Sequence, residues 1–314
     1  MNNTSIACLD IGSYSTGLLV VRRAQGLTKR VHEQIIVTHL GEGLSETGKI
    51  NDDAAARTLN SARDLIRAAD GFKPRMSIVG TAALRQAENA STITDPIRDE
   101  FNKDVEIITA AEEGLLSAEG ACSGIDGLKN PVVVDTGGRS TEIVWEDHGE
   151  KRIVSIDIGC ASVAEEVRKN AIDAEVSSSW ISSRADAALD GVDGPWNRHD
   201  ENFQIVLCGG TAAVLGGLES GRRLPDGLDH IHGMHMDTEK LAQWYRRLAD
   251  TDDDGRVRLG VEADRAPVMG AGAGIISGIV HRFPAEAAVR ISARGLRWGV
   301  VTQMMTHRQV FSIC

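Results

Sequence analysis

The sequence is poor in aromatic residues, in basic residues and in long apolar runs. Only 4% of its 314 residues are Phe, Trp or Tyr, which disfavours a protein that binds RNA by base stacking. No apolar run approaches the roughly 20 residues of a membrane-spanning helix, so we expect no membrane partner. With 34 Lys and Arg against 45 Asp and Glu, the formal net charge is −11. This balance argues against general affinity for nucleic acid.

Cysteine is also scarce. The five cysteines are scattered and show no paired-ligand spacing, so we interpret them as small core residues in a reducing compartment. The segment before the first strand has no basic region, and that strand reaches Asp10 too soon for a signal peptide. We therefore expect a cytoplasmic protein.

Glycine, in contrast, is plentiful and falls at the ends of apolar, strand-like runs. These runs alternate with helical patterns, which favours an α/β architecture with ligand sites at glycine-rich strand ends. The length suffices for two domains. The short polar segment 123–127 is the predicted boundary, giving domain I at 1–125 and domain II at 126–314, with the final helix free to pack back on domain I.

A strand–turn–strand pattern occurs twice. Residues 132–145 form a buried strand, a turn on two glycines and a second strand, and residues 7–20 repeat the pattern. A constant offset aligns Asp10 with Asp135, Gly12 with Gly137, Ser15 with Ser140 and Thr16 with Thr141. Glycine lets backbone N–H groups approach a phosphate. Two copies indicate a duplicated fold whose phosphate-binding hairpins face one cleft.

Further short motifs follow one another along nearly the whole chain. Besides the hairpin turns at 10–15 and 135–142, they lie at 40–43, 81–89, 112–113, 209–211, 231–233 and 294–297. Their order resembles the exopolyphosphatase/guanosine pentaphosphate phosphatase (Ppx/GppA) family of the actin-like ATPase superfamily. The resemblance implies two actin-like (ribonuclease H-like) α/β domains of duplicated topology with an interdomain cleft. The chain stops shortly after the last motif, which is similar to the short, two-domain form.

The resemblance implies hydrolysis of a terminal phosphate with Mg²⁺ as cofactor. Asp10 and Asp135 are the expected metal residues, and Glu113 or Glu112, with Glu142, would orient and deprotonate the attacking water. We prefer Glu113 as the base. The expected phosphate-binding residues are Gly12, Ser13, Ser15, Arg85, Gly137, Gly138, Arg139, Ser140, Thr141, Gly209, Gly210 and Thr211. A homodimer is implied by the resemblance alone.

Several positions depart from the family pattern. Tyr14 replaces an asparagine, Gly17 and Ser162 replace basic residues, and Arg139 replaces the third glycine of the second hairpin. Two cationic contacts are therefore missing, and a new arginine stands in a phosphate loop. We hypothesise that Arg139 supplies part of the missing positive charge.

The leading prediction is an exopolyphosphatase, which releases terminal phosphate from inorganic polyphosphate. Two alternatives stay open: a guanosine pentaphosphate 5′-phosphohydrolase, and a catalytically weakened sensor that binds phosphate or nucleotide. A polyphosphatase needs a long basic track and a nucleotide enzyme needs a base pocket, and the sequence does not separate them.

Two polar clusters are predicted to be structural. His230, His232 and His235 match no closed zinc site and are interpreted as loop residues, with His232 a local hydrogen-bonding group. The acidic run at 250–254 lacks the glycine and distant glutamate of a calcium loop and is interpreted as a solvated loop.

Overall fold

The computed structural model describes residues 4–24, 27–170, 174–198, 203–222, 224 and 228–306. The chain forms two compact units. Unit 1 contains the residues up to Gly120 together with those from Leu296 onward, and unit 2 contains residues 121–295. The chain thus leaves unit 1 and returns to it at its final helix.

The strands of unit 1 are β1 (Ser5–Ile11), β2 (Ser15–Ala24), β3 (Leu27–Val37), β4 (Arg75–Gly80) and β5 (Val105–Ile107). Those of unit 2 are β6 (Pro131–Thr136), β7 (Thr141–Asp147), β8 (Glu150–Ile156), β9 (Gln204–Cys208), β10 (Met234–Met236) and β11 (Ala288–Ile291).

The first helices along the chain are α1 (Leu44–Thr47), α2 (Asp52–Asp70), α3 (Ala82–Gln86), α4 (Ser91–Phe101) and α5 (Ala110–Cys122). Unit 2 adds α6 (Cys160–Lys169), α7 (Ala174–Ala187), α8 (Gly209–Ser220), α9 (Leu228–Ile231), α10 (Thr238–Ala249), α11 (Asp253–Leu259) and α12 (Ala266–Val280), with a 3₁₀ turn at Pro195–Asn197. The last helix, α13 (Leu296–Thr306), belongs to unit 1.

The two sheets share one topology. In unit 1 the order is β3-β2-β1-β4-β5, and in unit 2 it is β8-β7-β6-β9-β11-β10. Each sheet starts with three antiparallel strands and continues into two parallel ones, β4 and β5 in unit 1 and β9 and β11 in unit 2. Antiparallel β10 extends the second sheet. The duplicated α/β topology predicted from the sequence is confirmed.

The sheet of unit 1 is covered by helices on both faces. Alternate residues of β1 point to opposite faces, with Leu9 and Ile11 in one core cluster and Cys8 in the other. The first cluster contains the apolar side of α2, whose N-terminus is capped by Asn51 through a 2.8 Å hydrogen bond from the Ala54 amide. The second contains apolar residues of α13. The residues of β1 are therefore packed on both faces of the sheet up to its carboxyl end.

The acidic run at 250–254 is only partly the loop that the sequence suggested, because residues 250–252 join α10 to α11 and the prediction is wrong for the last two residues, which begin α11. Asp252 caps α11 by accepting a 2.7 Å hydrogen bond from the Gly255 amide, and Asp253 and Asp254 lie in the first turn. Acids are favourable there because the helix N-terminus presents free amides and positive dipole charge.

The histidine cluster is structural, although two of its members lie in regular elements. His230 belongs to α9 and His235 to β10, so the prediction of loop residues is wrong for both. His232 lies between these elements. Its Nε2 is 2.8 Å from the Ser123 carbonyl oxygen and its Nδ1 is 3.2 Å from the Ser292 hydroxyl, which confirms its role as a local hydrogen-bonding group.

The described cysteines are free thiols. Cys8, Cys160 and Cys208 are buried and Cys122 is partly buried, as expected for core residues, while Cys314 lies outside the described residues. Burial raises the pKa of Cys160 to about 11, so this thiol stays protonated at neutral pH. None of the helices in the described ranges combines the length and apolar character needed to cross a membrane.

Close packing of α13 on α5 depends on Gly299. A Cβ at this position would overlap the Leu116 backbone carbonyl, which cannot move as a side chain can. We expect Gly299→Ala to lower the free energy of unfolding by about 1–3 kcal/mol, as overpacking does. Gly71→Ala is the matched control, because a Cβ there meets nothing within 4 Å. Urea denaturation checks both, and equal stability of the two variants would contradict the packing argument.

Candidate functional site

The candidate site residues follow the carboxyl ends of parallel strands in each unit. In unit 1, the ends of β1, β4 and β5 lie side by side, because the Thr81 amide donates to Ile11 and the Ile108 amide to Gly80. The first hairpin turn, the segment that carries Arg85, and the start of α5 leave the sheet at this edge. In α/β proteins this is the edge where ligands bind.

The first hairpin turn has its carbonyl groups engaged by the following loop. The Ser13 carbonyl accepts from the Gly41 amide at 2.8 Å, and the Tyr14 carbonyl accepts from the Thr38 and His39 amides at 2.9 and 3.0 Å. A peptide bond is planar and trans, so its N–H points opposite to its C=O. The amides of Tyr14 and Ser15 therefore point away from the loop.

The second hairpin turn is oriented in the same manner by a different element. The amides of Cys160 at 2.9 Å and of Ala161 at 2.9 Å, at the start of α6, donate to the carbonyls of Gly137 and Gly138, respectively. The amides of Gly138 and Arg139 therefore point away from α6. Gly159 makes this contact possible, since a Cβ there would overlap the backbone of Gly138 and Arg139.

Each turn thus has two successive backbone amides that point away from the segment that binds the carbonyls of the turn. Each is closed by a short hydrogen bond, from Gly12 to Ser15 at 3.0 Å and from Gly137 to Ser140 at 2.9 Å. Such paired amides make a concave anion site. The Thr141 hydroxyl does not face the turn, because it donates to the Ile158 carbonyl at 2.7 Å and is buried. Its phosphate-binding role stays a prediction.

Asp135 and Glu142 face each other across the second hairpin. They are register partners on β6 and β7, so their side chains emerge on the same face of the sheet. The Ser155 hydroxyl donates to Glu142 Oε1 at 2.9 Å, and the Cys208 thiol donates to Asp135. Glu142 is only 2% exposed. Hydrogen bonds therefore fix the orientation of both carboxylates.

The third glycine-rich turn lies beside Asp135. Gly209 has a positive φ of 84°, and a Cβ there would approach Asp135 Oδ1 to 2.5 Å. Neither the backbone angle nor the space suits a residue other than glycine. The Thr211 side chain is buried against α12 at Gly272, so this residue is placed inside the unit.

Arg265 places a cation at this turn, which sequence reasoning missed. A Cβ on Gly210 would overlap its Nη1, so the guanidinium lies directly over the glycine. The Arg265 side chain is 13% exposed, and its Nε is 3.3 Å from the Glu262 carboxylate. Its distance of more than 50 residues from the turn in sequence hides the contact. Gly210 was an indirect signal in the sequence, because a glycine leaves room for a large neighbouring side chain.

Glu113 and Glu112 have different environments. The Glu112 carboxylate accepts from the Thr109 amide at 2.7 Å and the Thr109 hydroxyl at 2.8 Å, which is a capping box at the start of α5. Glu113 is instead 13% exposed, with Oε2 3.1 Å from Arg85 Nη1. Arg85 also donates to the Ile108 carbonyl at 2.8 Å. Glu112 is explained by helix capping, whereas Glu113 is an oriented acid at the strand edge.

Arg297 brings a second cation that was not predicted as a site residue. Its Nη1 is 3.6 Å from Asp10 Oδ2 and its Nη2 is 2.9 Å from Glu33 Oε1. A Cβ on Gly17 would lie 2.6 Å from Nη1, so the guanidinium occupies the space above this glycine. Burial opposes the charge, but the Glu33 and Asp10 carboxylates outweigh it and raise the pKa of Arg297. The Arg297 guanidinium from α13 thus lies at Gly17, where the family pattern has a basic residue.

The two unusual residues of the turns are packed within their own units. Tyr14 is 6% exposed, and its ring makes an edge contact with His39 at 4.8 Å. Burial lowers the pKa of Arg139, while the Glu165 and Asp157 carboxylates act in the opposite direction. Arg139 therefore has acidic neighbours in unit 2 that partly neutralise its positive charge. Its role as a substitute phosphate ligand stays a prediction.

Of the two predicted metal residues, Asp135 lies in a set of oxygen ligands that suits a hard divalent cation. Among the described residues, no group of three or more His, Cys, Asp or Glu side chains is arranged to hold a metal ion. Mg²⁺ needs less than this, because it is usually held by one or two carboxylates, with waters and substrate phosphates completing its shell. The oriented pair Asp135 and Glu142 fits this description. Asp10 already has the Arg297 cation beside it.

The sequence motifs and this arrangement agree with a comparison to protein families. The model of the Ppx/GppA phosphatase family matches residues 19–308. The chain belongs to the Ppx/GppA phosphatase family. The family predicted from the motifs is therefore confirmed, and the fold of solved relatives agrees with it.

Individual relatives are similar over different parts of the chain. A guanosine-5′-triphosphate,3′-diphosphate pyrophosphatase of Photobacterium profundum is 26% identical over 304 residues, covering 96% of this chain and 59% of its own length. Exopolyphosphatase 2 of Mycobacterium tuberculosis is 33% identical over 173 residues, covering 52% of this chain and 54% of its own length. The chain therefore spans between half and two thirds of the length of these curated relatives.

A solved structure matches over its full length. The crystal structure of the Aquifex aeolicus member of the Ppx/GppA family covers 98% of this chain and 99% of its own chain, at 27% identity and a TM-score of 0.79. This similarity supports the α/β fold with two duplicated units.

The Arg297 contact predicts a coupling between Gly17 and Arg297. Gly17→Ala would force the guanidinium away, and we expect it to lower the free energy of unfolding by about 1–3 kcal/mol. In an Arg297→Met background the same change should cost less than about 0.5 kcal/mol, because the clashing group is gone. A double-mutant cycle measured by urea denaturation gives the coupling. Equal costs in both backgrounds would contradict the contact.

Glu106 predicts a pH dependence of stability near α5. Local desolvation at this exposed residue, reinforced by the Glu112 carboxylate, raises the pKa of Glu106 from 4.5 to about 6. A raised carboxyl pKa disfavours the charged form in the folded state, so stability falls as pH rises through about 4.5 to 6. We expect Glu106→Gln to be more stable than the parent at pH 7 and equally stable at pH 4. Urea denaturation at both pH values checks this, and a gain of similar size at pH 4 would argue against it.

Proposed function

We propose that the protein is an exopolyphosphatase, a Mg²⁺-dependent phosphohydrolase that releases the terminal phosphate of inorganic polyphosphate. The observation that carries the proposal is the pair of hairpin turns with outward amides, one in each unit. Membership of the Ppx/GppA phosphatase family supports it, as does the similarity of half of the chain to a protein named exopolyphosphatase 2.

In the proposed reaction the amides bind phosphate oxygens and Glu113 acts on water. The Arg85 guanidinium holds the Glu113 carboxylate in one orientation, which is what a general base needs. Glu113 takes a proton from the water while the water oxygen forms a bond to the terminal phosphorus. The bridging P–O bond breaks, giving orthophosphate and a chain shorter by one phosphate. The fixed amides stabilise the charge that develops on the transferred group.

The cations and carboxylates have separate roles in this proposal. Asp135 and Glu142 would hold Mg²⁺, which neutralises phosphate charge when it is bound. Arg265 lies over the glycine turn at Gly210 and would add positive charge there. Asp10, the other predicted metal residue, lies beside Arg297, so its negative charge is partly offset within unit 1.

A second candidate function is hydrolysis of the 5′-terminal phosphate of guanosine pentaphosphate. The observation in its favour is coverage, because relatives named guanosine-5′-triphosphate,3′-diphosphate pyrophosphatase match 96% of the chain and the exopolyphosphatase matches 52%. A weakened sensor is the third candidate, and it rests on the departures at Tyr14, Gly17 and Ser162. For all three we propose a cytoplasmic homodimer; the free cysteines support the reducing compartment.

The decisive test compares Glu113→Gln with Glu112→Gln. Phosphate release is measured from polyphosphate, guanosine pentaphosphate and ATP, with Mg²⁺ present or chelated. We expect the parent to act on polyphosphate only with the metal, and Glu113→Gln to lower kcat about 10²- to 10⁴-fold. Glu112→Gln should keep kcat and nearly all of the parent's stability, because glutamine accepts the same Thr109 hydrogen bonds in a capping box.

Each other outcome has a defined meaning. Faster release from guanosine pentaphosphate than from polyphosphate would replace the proposed substrate. Retained polyphosphate binding with no release from any substrate would favour the sensor. Full activity of Glu113→Gln, with loss in Glu112→Gln, would overturn the assignment of the base.

A further inference from the structure

A separate cavity lies among the helices of unit 2. It has a volume of about 150 Å³ and is bordered by α6, α7, α10, α11 and α12. Its apolar wall consists of Ala164, Val167, Ile181, Ala249, Pro267 and Ala271. A cavity of this volume is large enough for a ligand of about the size of benzene. None of its lining residues is among the proposed catalytic, metal or phosphate residues.

Arg256 presents a nearly buried guanidinium to this cavity. The side chain is 15% exposed, and its Nε donates to the Leu248 carbonyl at 2.7 Å. Its Nη1 donates to the Ala266 carbonyl at 3.1 Å and to Asp253 Oδ1 at 2.8 Å. Its Nη2 lies against Gly270, where a Cβ would approach it to 2.7 Å. Gly270 also lines the cavity. Arg256 Nη2 therefore lies beside a glycine of the cavity wall.

Arg168 adds a second cation on the same cavity. Its Nη1 is 3.4 Å from the Pro267 carbonyl oxygen, and both residues line the cavity. Burial lowers the pKa of Arg256 and the Arg168 charge adds to this effect, while Asp253 and Asp252 oppose it. Among the described lining residues Asp253 is the one acid, so the cavity carries a net charge of about +1.

The charge and the walls restrict what can fit. Two guanidinium groups near one cavity repel each other, and an anion placed between them relieves the repulsion. Inorganic phosphate needs donors around all of its oxygens, whereas six of the lining residues form an apolar wall. A carboxylate accepts hydrogen bonds from guanidinium groups in a bidentate manner, and an aliphatic tail suits the wall.

We infer that this cavity is a binding site for a short-chain aliphatic monocarboxylate of about three to five carbon atoms, held by Arg168 and Arg256. The carboxylate faces the two guanidinium groups, and the hydrocarbon chain packs against Val167, Ile181 and Ala271. The site lies in unit 2 alone and does not depend on the proposed phosphohydrolase activity.

Isothermal titration calorimetry of the full chain with sodium butyrate tests the inference, with sodium phosphate and 1-butanol as further probes. We expect butyrate to bind with one-to-one stoichiometry and more tightly than either other probe. Gly270→Ala should weaken butyrate at least about tenfold, because its Cβ fills the space before Nη2. Arg168→Gln should have a similar effect. Gly270→Ala also displaces Arg256 Nη2, so Arg168→Gln, which leaves Arg256 and its backbone hydrogen bonds in place, is the cleaner of the two changes.

Two matched controls keep the result interpretable. Arg258→Gln removes an exposed arginine of α11 that does not line the cavity and should leave butyrate affinity unchanged. Glu113→Gln should also leave it unchanged, which separates this site from the phosphohydrolase site. The inference is overturned if butyrate does not bind the folded parent, if phosphate or butanol binds as tightly, or if Gly270→Ala and Arg168→Gln bind butyrate like the parent.

Discussion

The fixed direction of a few peptide bonds is the constraint on which the proposed site depends. In both hairpin turns the carbonyls are bound by amides of a neighbouring segment, the loop at Thr38–Gly41 in unit 1 and the start of α6 in unit 2. The trans peptide then leaves the next amide on the opposite side. The direction of these amides is therefore set by backbone packing, and the turns keep it with Tyr14 and Arg139 at positions where the family pattern has other residues.

The charges around these turns follow from the same geometry. A glycine leaves space in which a guanidinium group can lie, and two arginines occupy such spaces near the turns. Arg297 lies over Gly17 and Arg265 lies over Gly210, each from a helix or helix start distant in sequence. Arg85 has a different function, because it orients the Glu113 carboxylate. Positive charge missing at one sequence position is thus supplied by the fold from another.

Much of the fold was predictable from the sequence, because it depends on local patterns. The duplicated hairpins, the alternation of strands and helices and the Asn51 cap all have signals within a short window. The cations over Gly17 and Gly210 have none, since the contacts join residues far apart in the chain. The acidic start of α11 was missed for another reason: a helix of seven residues has too few apolar positions to show a period. Glu112 and Glu113 were adjacent candidates, and only the side-chain hydrogen bonds separate a capping residue from an oriented acid.

The most direct test of the account follows backbone amides during phosphate binding. In a ¹⁵N-resolved NMR titration of Glu113→Gln with tripolyphosphate and Mg²⁺, the outward amides should move most. We expect the largest shift changes at Tyr14, Ser15, Gly138 and Arg139, with small changes at Arg168 and Arg256 in the separate cavity. Saturable binding that leaves those four amides unshifted would contradict the proposed role of the hairpin turns.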